Sequence, residues 1–203
     1  YTTDIYNTYK GVYGTSFSCP IVSGCISLML EKRPDLSWRD VKMILMKTAI
    51  VPENNVNSHG NPSDINWVEN DVGFSFNNYY GAGVINVSKA LSWSMNLWYP
   101  LLPQDYTLIK NFVSNNVFVD EDMYMEHVSI KLDNFRPGPR IVIVSPKGTR
   151  SELIPSFTNS FVDENIKQDF EILTNAYFGE KSRGAWILEI TGTNSISNIR
   201  LVI

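Results

Sequence analysis

Cysteine, histidine and charge are all scarce in this chain, and long hydrophobic runs are missing. Two cysteines, two histidines and 19% charged residues occur among 203 residues, with a formal net charge of −4. No hydrophobic run approaches the roughly 18 residues that a membrane-spanning helix needs, so no membrane anchor is visible in this chain. No cluster of Lys and Arg overrides the acidic balance, which argues against a nucleic-acid partner.

The two cysteines do not identify the redox compartment. Cys19 and Cys25 fall in one predicted helix, on different faces and too far apart for an easy disulfide. We expect both to be small buried residues. The N-terminus lacks an initiator Met, a basic segment and an apolar segment, so no signal peptide is visible and we expect the chain to be part of a longer protein.

Helical patterns dominate the first half of the chain. Residues 20–32 are apolar nearly all round, which favours a helix buried in the middle of a fold. Ser37 followed by Asp40 is a capping box that opens a second helix, and apolar residues recur from Val41 and Ile44 at helical spacing. With 43% hydrophobic residues, the chain has the material for one large domain or two small ones.

A polar stretch and a linker follow these helices. Residues 51–78 are rich in Asn, Ser, Pro and Gly, and we interpret them as a long surface excursion. After a turn at residues 80–83, Asn86 can cap a third helix that runs to about residue 97. Residues 97–103 resemble a linker, because their two prolines resist both helix and inner strand.

Beyond the linker the hydrophobic period changes to two. Residues 127–133 alternate clearly, and residues 140–144 are a β-branched run that ends in a turn. Residues 186–190 and 199–203 repeat this pattern. Several short strands with almost no helical period indicate an antiparallel sandwich.

Ser16 is the candidate catalytic residue. It lies with Gly14 where a helix begins, so backbone N–H groups there are unpaired and the helix dipole favours negative charge. Attack by Ser16 Oγ on a carbonyl would form an oxyanion that the Ser16 N–H stabilises. The local pattern leaves open that Ser16 only caps a core helix. The Gly-x-Ser-x-Gly elbow is absent, because Ser18 stands in place of the second glycine.

A wider set of motifs resembles the kexin/furin (proprotein convertase) branch of the subtilisin superfamily. In the first half the motifs are Gly14-Thr15-Ser16 with Pro20, Ser23-Gly24, Leu36-Ser37-Trp38-Arg39-Asp40-Val41 and Tyr80-Gly81-Ala82-Gly83-Val84-Ile85-Asn86. The second half is similar to the P domain (Homo B domain) of that branch at Glu126-His127-Val128, at Val144-Ser145-Pro146-Lys147-Gly148-Thr149-Arg150 and at Gly184-Ala185-Trp186-Ile187-Leu188-Glu189-Ile190.

The resemblance implies a fold and a role for Ser16. The fold is α/β, the C-terminal part of a subtilisin-like parallel-sheet domain, followed by an all-β jelly-roll-like sandwich. Ser16 would be the nucleophile of a serine endopeptidase. The chain departs from the branch at Phe17-Ser18-Cys19, which is bulkier than the run of small residues usual there, so the resemblance does not settle how substrate fits against the Phe17 region.

No plausible base accompanies Ser16. The superfamily order is Asp, His, Ser, with the oxyanion-hole Asn also before Ser, and no histidine precedes Ser16 in this chain. We expect His59 to be a surface-loop residue and His127 a structural strand residue. Asp4 and Asp40 are interpreted as a strand-edge charge and a helix cap. The chain therefore lacks the catalytic His and Asp, and we expect it to be inert by itself.

Metal and glycan signals are weak. The resemblance implies calcium in the complete enzyme, bound by carboxylates upstream of Ser16, so no ligand is assignable in this chain. Asp120-Glu121-Asp122 is interpreted as a solvated loop rather than a calcium site. Asn86-Val87-Ser88 is a glycosylation sequon whose Asn is predicted to cap a helix, and we expect it to remain largely unmodified.

These observations predict two domains and one function. Residues 1–99 are expected to be the C-terminal part of a subtilisin-like peptidase domain, residues 100–103 a linker, and residues 104–203 a P-domain sandwich that contacts the catalytic domain. The resemblance implies that the complete protein cleaves protein or peptide precursors after basic, often paired, residues, in the secretory pathway (Golgi-like) or at the cell surface. Residues 1–99 alone are not expected to fold, because most of the parallel sheet is absent. The alternative is a non-catalytic surface or binding module that keeps the fold.

Overall fold

The structure, a computed structural model, contains two compact units. It describes residues 2–3, 9–11, 14–52, 67–78, 80–94, 107–135, 139–155, 168–192 and 197–203. One unit comprises Tyr1–Val51 and Gly83–Gln104, and the other comprises Pro52–Ala82 and Asp105–Ile203. The predicted domain boundaries, 1–99 and 104–203, stay a prediction.

The first unit is mainly helical in its described residues. Its elements are β1 (Thr2–Thr3), β2 (Tyr9–Lys10), α1 (Thr15–Lys32), α2 (Trp38–Thr48) and α3 (Val87–Ser94). β1 and β2 form an antiparallel pair. The three helices share a core made of Cys25, Met29, Leu36, Val41, Ile44 and Ala90. None of the helices in the described part of the chain combines the length and the hydrophobicity of a membrane-spanning segment.

Both predicted helix caps are confirmed. The Asp40 N–H donates to Ser37 Oγ at 3.2 Å, and Asp40 Oδ2 accepts from the Ser37 N–H at 2.9 Å, which completes the capping box of α2. Asn86 Oδ1 accepts from the Lys89 N–H at 3.0 Å at the start of α3. Each such cap contributes about 1 kcal/mol to helix stability. The predicted extension of α3 to residue 97 lies outside the described residues.

A helix is present where residues 20–32 predict one, and its burial in the complete fold stays a prediction. α1 begins earlier, at Thr15, and only Cys25 and Met29 are buried along it. These two residues are four apart, so they face the same direction and contact the core that the helices share. Ile21 is 63% exposed. The described residues of this unit cover α1 along one stripe, and the apolar residues outside that stripe remain exposed.

The two cysteines have different environments, and neither is in a disulfide. Cys25 is buried as expected, whereas Cys19 is exposed because it lies outside the buried stripe of α1. Burial raises the pKa of the Cys25 thiol, which lowers its thiolate fraction at neutral pH. We therefore expect iodoacetamide at pH 7.5 to alkylate Cys19 and spare Cys25, as counted by peptide mass spectrometry. In urea both should react, and equal labelling under native conditions would contradict the described packing.

The second unit is a sandwich with a hairpin attached. Its strands are β3 (Val68–Glu69), β4 (Ser75–Phe76), β5 (Ile109–Asn111), β6 (Asn116–Val119), β7 (Val128–Phe135), β8 (Arg140–Val144), β9 (Arg150–Ile154), β10 (Gln168–Thr174), β11 (Gly184–Thr191) and β12 (Ser197–Val202). Two four-stranded antiparallel sheets have the orders β10-β7-β12-β5 and β6-β11-β8-β9. The predicted period-two segments fall in β7, β8, β11 and β12, so the antiparallel sandwich is confirmed.

Two large aromatic side chains lie at the centre of the sandwich with their polar atoms bonded. The rings of Tyr177 and Trp186 meet edge to face, with centroids 5.1 Å apart. Trp186 Nε1 donates to the Ser182 carbonyl at 3.0 Å, and the Tyr177 hydroxyl donates to the Ile143 carbonyl at 2.7 Å. Burial raises the pKa of Tyr177 well above its ordinary value, so it stays a hydroxyl donor. The polar atom of each of these two buried aromatic side chains therefore has a hydrogen-bond partner.

The segment 67–78 is not the surface excursion that its composition predicts. β3 and β4 form an antiparallel hairpin, and Asn70 between them is buried. Asn70 Nδ2 donates to the carbonyls of Ala176 at 3.1 Å and Phe178 at 2.9 Å. These bonds attach the hairpin to the sandwich. The rest of the predicted excursion, residues 53–66, lies outside the described residues.

Further contacts support this attachment. Glu180 is fully buried, and its Oε1 accepts from the Asp71 N–H at 3.1 Å and from the Thr149 hydroxyl. The rings of Phe74 and Phe178 pack with centroids 5.3 Å apart. The hairpin thus contributes a buried amide, a backbone donor and an aromatic ring to the sandwich unit.

Gly184, at the start of β11, has no room for a side chain. Its φ is +133°, and a Cβ there would lie 2.6 Å from Pro146 Cβ. Gly148 also has a positive φ, +88°, but no atom lies within 4 Å of a Cβ built on it. We expect Gly184→Ala to lower the free energy of unfolding by about 3 kcal/mol or more, and Gly148→Ala by about 1–2 kcal/mol, in urea denaturation. Equal losses of unfolding free energy in the two variants would show that the steric contact with Pro146 does not destabilise the protein.

Candidate active site

Ser16 is exposed in the first turn of α1. The N-cap is Gly14, with φ 136° and ψ 150°, and no side chain caps the helix. The Phe17 N–H donates to the Gly14 carbonyl at 3.0 Å. Ser16 is therefore the second residue of the helix. The alternative interpretation, in which Ser16 only caps the helix, is wrong, because Gly14 is the N-cap.

The first turn of α1 carries the positive end of the helix dipole. It contains no acidic residue and no side-chain cap. The N–H groups of Thr15 and Ser16 precede the first intrahelical bonds, so the helix itself supplies no acceptor for them. Together with the dipole, these groups favour negative charge beside Ser16 Oγ. An oxyanion formed there would be stabilised.

The other candidate residues do not come together with Ser16 in the described residues of the first unit. His59 and Asp4 lie outside the described residues. His127 is half-buried just before β7, in the second unit. Asp40 is buried and bonded to Ser37 as the cap of α2. Asp40 as a helix cap is confirmed, and no histidine belongs to the first unit.

The acidic segment at residues 120–122 does not fit a calcium site. Glu121 Oε1 lies 3.1 Å from Lys110 Nζ, and Asp122 Oδ2 lies 3.2 Å from Lys181 Nζ. Hydrogen bonds from its own backbone N–H and from Lys110 hold the pKa of the Glu121 carboxyl below its ordinary value. Within the part of the chain that the structure describes, no three His, Cys, Asp or Glu side chains are grouped so as to hold a metal ion.

Comparison with known proteins gives two family matches, one in each half of the chain. Residues 1–83 match the subtilase family, and residues 125–202 match the proprotein convertase P-domain. An endoprotease of Onchocerca volvulus is 33% identical over 92% of this chain and 29% of its own length. Proprotein convertase subtilisin/kexin type 5 of Rattus norvegicus is 28% identical over 90% of this chain and 11% of its own length.

A solved structure shares the fold. The serine protease of Aeromonas sobria, crystallised in complex with a chaperone, superposes with a TM-score of 0.74 over 96% of this chain and 45% of that chain, at 23% identity. The fold class predicted from the sequence, α/β followed by an all-β sandwich, is thereby confirmed. Every strand pair in the described residues of this chain is antiparallel. The part of the α/β fold that the described residues of the first unit contain is therefore its helices and not its parallel sheet.

A subtilase segment followed by a P domain defines a class of serine peptidase. These matches and the relatives named above confirm the resemblance to the kexin-like, proprotein convertase branch of the subtilisin family that the motifs of the sequence indicate. The chain spans less than a third of the length of the curated relatives given above. The activity, substrates and partners of the complete protein are therefore matters for proposal.

Proposed function

We propose that the complete protein, meaning the full product of the gene, is a serine endopeptidase with Ser16 as its nucleophile. One observation carries this proposal: Ser16 is exposed in an uncapped first turn, inside the segment that matches the subtilase family. The sequence Gly14-Thr15-Ser16 supports the same role. The domain boundaries 1–99 and 104–203 belong to this proposal.

The proposed chemistry is acyl transfer. Ser16 Oγ attacks the peptide carbonyl carbon while a His general base takes the hydroxyl proton, and the oxyanion is stabilised by the Ser16 N–H. The C–N bond then breaks, the amine leaves with that proton, and water hydrolyses the acyl-enzyme. The His and the Asp that orients it are assigned to the complete protein outside this chain. The chain by itself is proposed to be inactive.

The substrate class follows from the branch. Relatives named proprotein convertases support cleavage of precursor proteins, and we propose cleavage after basic, often paired, residues. We also propose residence in the secretory pathway or at the cell surface, which is supported by a relative named as an extracellular protease. Calcium is proposed for the complete enzyme, and no ligand for it is assigned among the described residues. The P domain is proposed to contact the catalytic domain within the molecule.

Two measurements test the proposed function. The coding sequence upstream of Tyr1 should contain an Asp motif, a His-Gly-Thr motif and an oxyanion Asn, in that order. The complete protein should then cleave a peptide after Lys-Arg, and should leave a matched peptide with Ala-Ala at those positions intact. An upstream sequence without the His and Asp, or a protein that cleaves neither peptide, favours the non-catalytic module.

A further inference from the structure

Only two of the 17 Lys and Arg residues in this chain are adjacent, and they are Lys32 and Arg33 at the end of α1. The proposed function is cleavage after basic, often paired, residues, so this pair would be a target of the enzyme itself. Cleavage would break the C–N bond between Arg33 and Pro34, with water supplying the hydroxyl of the new carboxyl group and the proton of the leaving nitrogen. It would separate the helix that carries Ser16 from α2 and α3, which share its core.

The folded chain does not present Arg33 for cleavage. Arg33 is 8% exposed. Its N–H donates to the Met29 carbonyl at 2.8 Å, and its Nε donates to Asp35 Oδ1 at 3.3 Å. A peptidase that holds its substrate by backbone hydrogen bonds takes it as an extended strand, with a rise of about 3.3 Å per residue. Residues 29–32 are helical, with a rise of about 1.5 Å per residue, and therefore do not fit such a cleft.

Pro34 adds a second barrier that does not depend on the fold. It is exposed and follows the basic pair directly. Its nitrogen carries a ring carbon in place of hydrogen, so the ring crowds the group that must return a proton to this nitrogen when the bond breaks. Proline also restricts the backbone of the residue before it. This barrier remains when the end of α1 opens and Arg33 becomes exposed.

We propose that the burial of Arg33 and the ring of Pro34 together protect the enzyme from cleavage at Lys32-Arg33 by another copy of itself. This inference rests on the proposed function. Burial protects the folded chain, and Pro34 protects the same bond while this segment is unfolded. Pro34 also stands just after the end of α1, but a purely structural role would not affect the cleavage of an unfolded peptide.

Two peptides of residues 28–38 test the role of Pro34. One has the native sequence and the other carries Pro34→Ala. Each is incubated with the active complete protein, and mass spectrometry identifies the products. We expect kcat/KM to be at least about tenfold higher for the Pro34→Ala peptide, with cleavage between residues 33 and 34. Equal cleavage of the two peptides at this bond would overturn the role of Pro34.

The Ser16→Ala form of the complete protein tests the role of the fold, because it lacks the nucleophile and serves only as a substrate. With Pro34→Ala added, it is incubated with the active protein. We expect cleavage between residues 33 and 34 to be at least about 100-fold slower than in the Pro34→Ala peptide, because it requires local opening. Thermal unfolding checks that this variant is folded, and Pro34→Ser replaces Pro34→Ala if it is not. Cleavage as fast as that of the peptide would overturn the role of burial.

Two further measurements keep the inference separate from the proposed function. A fluorophosphonate probe and a Lys-Arg peptide first establish that the complete protein is active. If it is active and its native form is cut between residues 33 and 34 during incubation, the inference is overturned while the proposed function stands. If the probe does not label Ser16 and the peptide stays intact, the proposed function fails and the inference fails with it.

Discussion

Replacing Ser16 with alanine is expected to lower kcat of the complete protein on a Lys-Arg peptide by about 10⁶. Loss of the nucleophilic serine costs this much in subtilisin, where the activity that remains comes from the oxyanion hole and substrate binding. The change removes one exposed hydroxyl from the first turn of α1, so KM and the melting temperature should change little. Steady-state kinetics with a fluorogenic peptide measures the effect.

Ser18→Ala is the matched control for this experiment. Ser18 is an exposed serine in the same helix, two residues further along the chain. It should keep kcat within about twofold of the unmodified protein, because surface substitutions of this kind have small effects. A Ser16→Ala protein with more than about 1% of normal activity would mean that another residue supplies the nucleophile.

Replacing Asn70 with alanine should cost about 3–4 kcal/mol of stability in the second unit. Asn70 Nδ2 donates to the carbonyls of Ala176 and Phe178, and its Oδ1 accepts from the N–H groups of Val72 at 3.1 Å and Phe74 at 2.9 Å. The substitution leaves polar backbone groups without these partners at a buried site, where each costs about 1–3 kcal/mol if it stays unsatisfied.

Urea denaturation of the complete protein measures this loss, and hydrogen exchange locates it. Protection of the backbone amides should fall in residues 67–78 and 175–180 before it falls in β7 and β8. Asn78→Ala is the control, since Asn78 is exposed and makes a single described bond, 3.0 Å to the Glu152 carbonyl; it should cost less than about 1 kcal/mol. Equal effects of the two substitutions would mean that the hairpin is not held by Asn70.

The sequence predicts the elements whose signals are local. The capping box of α2 needs only Ser37 and Asp40, and the cap of α3 needs only Asn86 and Lys89, so both could be inferred from spacing. The sandwich strands are equally predictable from the sequence, because apolar and polar residues alternate with a period of two along a strand with one buried face.

Two features required contacts that the sequence does not reveal. The apolar pattern of α1 indicates that its faces suit a buried environment, but it does not indicate which face packs against the rest of the unit. In the structure the stripe through Cys25 and Met29 packs against the other helices. Asn70 lies in a polar stretch typical of a loop, and its partners are 106 and 108 residues away. The local composition around a buried polar residue with such distant partners is the same as that around a polar residue exposed to solvent, so the two cannot be told apart from the sequence.

The central claim is that Ser16 is the nucleophile, and covalent labelling tests it most directly. The complete protein is treated with a fluorophosphonate probe, digested with trypsin and analysed by tandem mass spectrometry. Cleavage after Lys10 and Lys32 yields a peptide of residues 11–32, and fragment ions should place the adduct on Ser16 and not on Ser18. Prior unfolding in urea should abolish the reaction. An adduct on another residue, or equal labelling of folded and unfolded protein, would contradict the account.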